Sequence, residues 1–238
     1  MQSHLYIALS AQRALLDRLE SVAGNVANVS TPGYRAEMIS FEEVLSRSQD
    51  PASFVSEGRT FLSTASGAME KTGNPFDIAV SGSAWLGVAT PNGVSYTRDG
   101  RFAPNSDGAL VSVKGYPLVD VGGSPIQIDP SGPPPEIGRD GTITQGDRTL
   151  GSIGLFRLQP DAILQRTEFG TVAADRPAEP ELDFTAAGIQ QGYIEKSNAD
   201  PIFEMTRLIT LQRNFDSISN AIVDVEENLI DAVRTLGS

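Results

Sequence analysis

Residues 197–238 read SNADPIFEMTRLITLQRNFDSISNAIVDVEENLIDAVRTLGS and carry the strongest periodic signal in the chain. From Leu208 apolar residues return at alternating steps of three and four, at Leu208, Leu211, Phe215, Ile218, Ile222, Val225, Leu229, Ala232 and Leu236. Arg213, Asp216, Asp224, Glu226, Glu227, Asp231 and Arg234 lie off that line, so a narrow apolar stripe runs along a charged cylinder. Asp200 is placed to cap the first free N–H groups, Pro201 suits the first helical position, and Gly237 suits the end. A helix with one apolar stripe draws most of its stability from covering it, so this one needs a partner.

The same spacing runs at the other end of the chain, through Leu5, Ala8, Gln12, Leu15, Leu19, Val22, Val26 and Val29, with Gln12 the one polar interruption. Two such seams predict an α+β fold: paired long N- and C-terminal helices, coiled-coil-like, clasping an inserted antiparallel β-rich domain. Two amphipathic helices packed on a globular core give a similar period, and the narrowness of the stripe favours the pair. The expected first helix runs from Ser3 to about Val29. Gly24, Asn25 and Asn28 weaken its last turns, and Ser30-Thr31-Pro32-Gly33 stops it, because Pro32 steers Thr31 out of the helical region and Gly33 permits a positive φ.

The expected domains are 1–33 with 192–238 as a terminal helical domain, 34–74 as an extended connector with a short helix around Phe41 to Leu45, and 75–191 as a β-rich domain. Strand candidates there are 77–80, 84–88, 110–113, 117–119, 126–128 and 153–156. Turn dipeptides such as Asp99-Gly100, Asp107-Gly108 and Asp140-Gly141 separate them. Pro133-Pro134-Pro135 belongs to a loop or an edge.

The 238 residues carry 18 Lys and Arg against 30 Asp and Glu, a net charge of -12, and no run of cations. That balance argues against nucleic acid, and no apolar run reaches the roughly 20 residues of a membrane span. The first residues lack the pattern of a secretory signal. With no cysteine there are no disulfides or thiolate metal sites. The only histidine is His4, which leaves neither a Ser/His/Asp triad nor a histidine metal site. Lys114 precedes a glycine but belongs to no phosphate loop. Asp99, Asp107, Asp140 and Asp147 are the carboxylates a glycosidase would need, but three directly precede glycine, as hairpin turns require. No catalytic, metal or cofactor residue is therefore expected, and no cofactor. Trp85, with Leu86 and Phe102, reads as core or subunit packing before a stacking platform. Arg98 and Arg101 flank the Asp99-Gly100 turn as an anion site or, more simply, as solvent-facing charges.

Several blocks resemble a known family. Asn25-Val-Ala-Asn28-Val-Ser-Thr31-Pro32-Gly33-Tyr34-Arg35 is similar to the signature of bacterial flagellar rod and hook proteins. Gly192-Tyr-Ile-Glu195-Lys-Ser197-Asn198-Ala-Asp200, followed by Glu204-Met205 and Gln212-Arg213-Asn-Phe215, resembles the family's second terminal signature. Between them, 73–80, Tyr96-Thr97-Arg98-Asp99-Gly100-Arg-Phe102 and 107–111 are similar to blocks of its β domain. Trp85-Leu86 stands where the family usually has paired aromatics, and Ala199 where it has valine. The compact length and Asn198-Ala-Asp-Pro201 are most similar to the proximal rod proteins, with the distal rod proteins the near alternative.

The resemblance implies a structural protein rather than an enzyme, a subunit that polymerises through its terminal helices into the driveshaft carrying torque from motor to hook. It implies an inner tube of helices, an outer β layer, and export through the flagellar type III apparatus into the periplasm without a cleaved signal peptide. Implied partners are copies of the chain, other proximal rod proteins, the distal rod protein, the export apparatus and the ring proteins, with no nucleic acid and no membrane insertion. An exported β-domain enzyme acting on the cell wall is the alternative from another class.

Overall fold

The computed structural model describes residues 2–40, 43–45, 53–55 and 59–236, with side chains for 9–39 and 59–223. Two helices, α1 (Gln2–Ala27) and α2 (Pro201–Leu236), stand near the ends of the chain. Asp200 caps α2, its Oδ1 accepting from the N–H groups of Ile202 at 2.9 Å and Phe203 at 3.0 Å. α1 stops two residues short of Val29, where Asn28 begins a turn closed by Thr31 N–H on the Asn28 carbonyl at 3.1 Å. The chain divides into two compact units, one of Met1–Ala27, Glu37–Phe61 and Asp200–Ser238, the other of Asn28–Ala36 and Leu62–Ala199.

In the first unit strand Glu37–Ser40 pairs with Arg59–Leu62, and Glu43–Leu45 pairs antiparallel with Ser53–Val55. The helix expected around residues 41–45 is thus a strand over 43–45. Its partner lies in a stretch with no period of its own, so only the pairing reveals it. On α1, Asn25 is fully buried and holds both backbone groups of Glu37: its Nδ2 donates to the carbonyl at 2.9 Å and its Oδ1 accepts from the N–H at 2.8 Å. Ser21 Oγ donates to the same carbonyl at 3.2 Å.

The expectation of paired, coiled-coil-like long helices is not met. Two helices stand against nineteen strands among the described residues, so the chain is mostly β and the broad α+β class fits only loosely. The helices touch, with Gln12 Nε2 donating to Ser219 Oγ at 3.2 Å. Yet from Pro201 to Val223 the one buried side chain is Glu204, and the seam residues Leu208, Leu211, Phe215, Ile218 and Ile222 are half-buried. On α1, Val22 is buried and Leu15, Leu19 and Val26 are half-buried. The side chains of Leu5, Ala8, Val225 and Leu229 lie outside the described residues. A heptad makes a coiled coil only where each knob enters a hole of the facing helix. The period records which face is apolar, not what covers it.

The second unit is antiparallel β. Its largest sheet orders the strands Leu164–Arg166, Val172–Ala174, Gly93–Thr97, Trp85–Thr90, Leu155–Arg157 and Glu179–Pro180. Smaller ladders join Phe102–Pro104 with Leu110–Ser112, Ile78–Ser81 with Gly188–Gln191, Met69–Lys71 with Tyr193–Glu195, and three strands over 136–152. The candidates at 117–119 and 126–128 make only single bridges, among them Val88↔Leu118 and Ala109↔Gln127. Their apolar residues nonetheless fill the core: Leu118 and Val119 are fully buried beside Leu86, Val88, Ile143 and Leu155. The proline run is held by side-chain amides, Gln145 Nε2 on the Pro133 carbonyl and Gln191 Nε2 on the Pro135 carbonyl, both at 2.7 Å. This suits a segment that offers acceptors and no donors. Truncating Leu118 to Ala should cost about 2–5 kcal/mol, read as a lower urea midpoint at unchanged slope. A loss within experimental error would mean that the core centres elsewhere.

Candidate functional site

Three of the sequence blocks meet inside the second unit. Tyr193–Glu195 is a strand held by Met69–Lys71, and it delivers Glu195 to the interior at 1% exposure. The turn after strand Gly93–Thr97 delivers Arg98, and the chain leaving Gly33 and Tyr34 delivers Arg35, each 2% exposed. Glu195 Oε2 accepts from Arg98 Nη1 at 3.0 Å, and Oε1 lies 2.9 Å from Arg35 Nη2 as an ion pair without hydrogen-bond alignment. Oε1 also accepts from Gly67 N–H at 2.7 Å. Arg98 further donates to the carbonyls of Val80 and Gly82 at 2.8 and 2.5 Å, and Arg35 Nη1 donates to the Ala65 carbonyl. Both guanidinium groups lie over the Trp85 ring, at 5.5 Å for Arg35 and 5.4 Å for Arg98.

Burial pushes the Arg98 guanidinium down to about 10, with Glu195 opposing the fall and Arg35 adding to it; burial lowers Arg35 as well. Arg98 is still protonated at neutral pH, so the hub holds two cations against one carboxylate. The Nε atoms of both arginines are buried without a hydrogen-bond partner. Such a cluster is poor at adding stability, because desolvating three charges consumes most of what their attraction returns. It is effective at fixing which strands meet.

The N-terminal signature locks onto this hub. Gly33 N–H donates to the Glu195 carbonyl at 2.7 Å, and Gly33 has φ +69 with its α-carbon so close to the Asp99 turn that a Cβ would lie 2.1 Å from Asp99 N. Only glycine fits there. Gly100 is needed for the second reason alone, since a Cβ would lie 1.5 Å from the Ile78 carbonyl oxygen. Asn28 Oδ1 accepts from Thr31 Oγ1 at 3.1 Å ahead of Pro32, and Tyr34 is buried beneath the Arg166 guanidinium, 4.2 Å from its ring centre. From the C-terminal signature, Asn198 Oδ1 accepts from Ala36 N–H at 2.6 Å and its Nδ2 donates to the Ala65 carbonyl at 2.7 Å. Gly192 N–H donates to the Asp77 carbonyl at 2.7 Å, and Ser197 Oγ accepts from Ala199 N–H at 3.2 Å.

Of the β-domain motif, Phe102 lies in the core, Thr97 Oγ1 accepts from Asp99 N–H at 3.0 Å, and Tyr96 packs on Phe156 at 5.5 Å between ring centres. Asp99 is forked by Arg101 at 2.9 and 2.7 Å. The solvent-facing reading of Arg98 is therefore corrected: a glutamate nearly a hundred residues away draws it inside, which no local pattern announces. Arg35 closed the first signature without being singled out, and Arg166 had no signal at all. Among the four aspartates a glycosidase would need, Asp140 is held below the usual carboxylate range by hydrogen bonds from Thr142 and serves its own turn.

Comparison with known proteins decides the family. Residues 5–35 match the model of "Flagella basal body rod protein", 79–145 that of "Flagellar hook protein FlgE/F/G D1 domain", and 190–235 that of "Flagellar basal body rod FlgEFG protein C-terminal". The chain is 45% identical over 239 residues to the flagellar basal-body rod protein FlgF of Mesorhizobium japonicum, covering all of this chain and 99% of that protein. It belongs to the flagellar basal-body rod protein family. Identity is 40% to FlgF of Rhizobium meliloti, again over all of this chain and 99% of the relative. It is 27% to the rod protein FlgG of Bacillus subtilis, over 98% and 99%. The family is structural, and this member is a structural subunit of the flagellar basal-body rod, assembling with other axial proteins. The hub ties the blocks matched by all three family models.

Replacing Glu195 with Gln leaves Arg35 and Arg98 buried without their counter-charge and should cost about 3–5 kcal/mol in denaturant unfolding. Replacing all three with apolar residues (Arg35→Met, Arg98→Met, Glu195→Leu) should recover most of that. A Glu195→Gln variant as stable as the parent would show that the pair is not what joins these strands.

Proposed function

We propose that the chain is a subunit of the proximal part of the rod, polymerising through its terminal helices into the shaft that transmits torque from motor to hook. One observation carries the reading. α2 turns large apolar side chains to solvent, with Ile202 78% exposed, Phe203 58% and Ile209 53%, and a surface of that kind marks a protein contact. Many such contacts repeated along a shaft share load without any one being strong. The proximal position is supported by the higher identity to proteins named FlgF than to one named FlgG. A distal position is the second reading.

In this reading 1–33 with 192–238 form the inner tube, 34–74 the connector and 75–191 the outer layer. Supporting that division, α1 and α2 fall in one compact unit and 62–199 in the other, although 37–61 group with the helices and 28–36 with the β-rich unit. The finer setting is the periplasm, reached through the flagellar type III apparatus without signal cleavage, with other proximal rod proteins, the distal rod protein and ring proteins as neighbours. No catalytic step belongs to this role. Asp99 and Asp140 are committed to Arg101 and Thr142.

In a strain lacking this chain, electron microscopy of basal bodies should show the rod missing beyond its base, and a copy tagged after the exposed Asp147 should restore it and mark its proximal part. Complete rods and hooks in the deletion would sink the proposal. Ile209→Glu should change stability by no more than about 0.5 kcal/mol, since the site is exposed, yet abolish swimming and recovery of the chain in basal bodies. Normal swimming would mean that this face is not the assembly surface.

A further inference from the structure

A cleft of about 300 Å³ opens in the second unit, walled by the first signature, the Asp99 turn and the turns around 113–114 and 170–171. Five of the chain's 18 Lys and Arg line it, Arg35, Arg98, Arg101, Lys114 and Arg166, against the one lining carboxylate of Asp99. In a chain of net charge -12 that is a pronounced reversal of sign. Arg35 and Arg98 are committed to Glu195, and Arg101 to Asp99. Two cations remain without a carboxylate among the described residues. Arg166 spends one N–H on the Arg35 carbonyl at 2.7 Å and lies over Tyr34, and exposed Lys114 has no hydrogen-bond or ion-pair partner among the described residues. Cations gathered this closely repel one another, and a carboxylate entering between them relieves that repulsion while gaining charge-assisted hydrogen bonds.

Arg166 ends the strand at one edge of the six-stranded sheet, and the opposite edge is Glu179–Pro180. That far edge continues as Glu179-Pro180-Glu181-Leu182-Asp183, where Glu179, paired to Arg157 at 3.1 Å, and Asp183 are exposed, Glu181 is buried, and Leu182 is 77% exposed. Cationic and anionic ends thus lie across one sheet from each other. Surfaces that differ on the two partners join head to tail and propagate instead of closing as a dimer. Opposite charge fixes their register and speeds their encounter.

We propose that the cleft at Lys114 and Arg166 receives the acidic edge, residues 179–183, of a second copy of this chain. This rests on the reading of the chain as a polymerising rod subunit. The lysine and arginine grip carboxylates of the incoming segment, and the buried Glu195 hub holds the wall of the cleft rigid behind them.

The chain has no cysteine, so an introduced pair would be its only thiols. Basal bodies should be isolated from the deletion strain carrying the tagged full chain with Lys114→Cys and Leu182→Cys. Mild oxidation is expected to give a ladder of cross-linked chains that collapses on reduction and is absent from each single variant. Separately, Lys114→Glu and Glu179→Lys should each lower incorporation at least roughly tenfold, the loss of one charge-assisted contact, and their combination should restore it. Incorporation of the double-cysteine chain without a ladder, together with no rescue by the charge swap, would overturn the contact and leave the rod reading intact. Failure of the unsubstituted tagged chain to enter basal bodies would overturn both. Thermal stabilisation by inorganic phosphate that Lys114→Glu removes, with no ladder, would reduce the cleft to a site for small anions and also overturn the contact.

Discussion

The carboxylate of Glu195, shared between Arg35 and Arg98 and shut away from water, is the constraint on which the β-rich unit depends. A lone carboxylate in such a place, or either arginine left without it, would be an unpaired buried charge. Each group is tolerable only where the other two are. The three come from segments far apart in sequence, so the arrangement exists only when those segments have found their correct neighbours. Its value lies less in net stability than in the cost it imposes on every wrong pairing, and the unpartnered Nε atoms are consistent with that balance.

Around the hub the backbone accounts are closed by amide side chains. Asn25 holds both polar groups of Glu37 in the helical unit, and Asn198 does the equivalent between Ala36 and Ala65 in the β unit. A hydrophobe of the same shape in place of Asn25, which is fully buried, or of half-buried Asn198 would leave these backbone groups without their side-chain partner. Gly33 and Gly100 let main chain lie against main chain where any Cβ would collide. In this chain these stretches are held by amides that pair a backbone, glycines that allow contact, and charges that require one another.

A buried, directionally hydrogen-bonded hub with Trp85 packed on both cations has few alternative arrangements, so it fixes the segments it joins against one another. The helical unit is built differently. Its apolar stripe is half-covered within the chain, and its Ile202, Phe203 and Ile209 face solvent.

Much of this was legible in the order of residues. The apolar period located both helices, Asp200 and Pro201 marked the start of α2, and glycine and proline separated the strands, because these are properties of a few consecutive residues. The family blocks singled out Arg98 and Glu195 without bringing them together, and held Arg35 without singling it out. Tertiary packing alone decided that the two seams do not form a continuous coiled coil, that residues 43–45 are a strand, and that 117–119 fill the core while barely pairing. It alone drew Arg98 inward and gathered Lys114 and Arg166 at one cleft. The physical reason is the same throughout: a sequence pattern sets which face of an element avoids water and where the chain turns, whereas the partner of a buried charge or a half-covered stripe is chosen by segments distant along the chain.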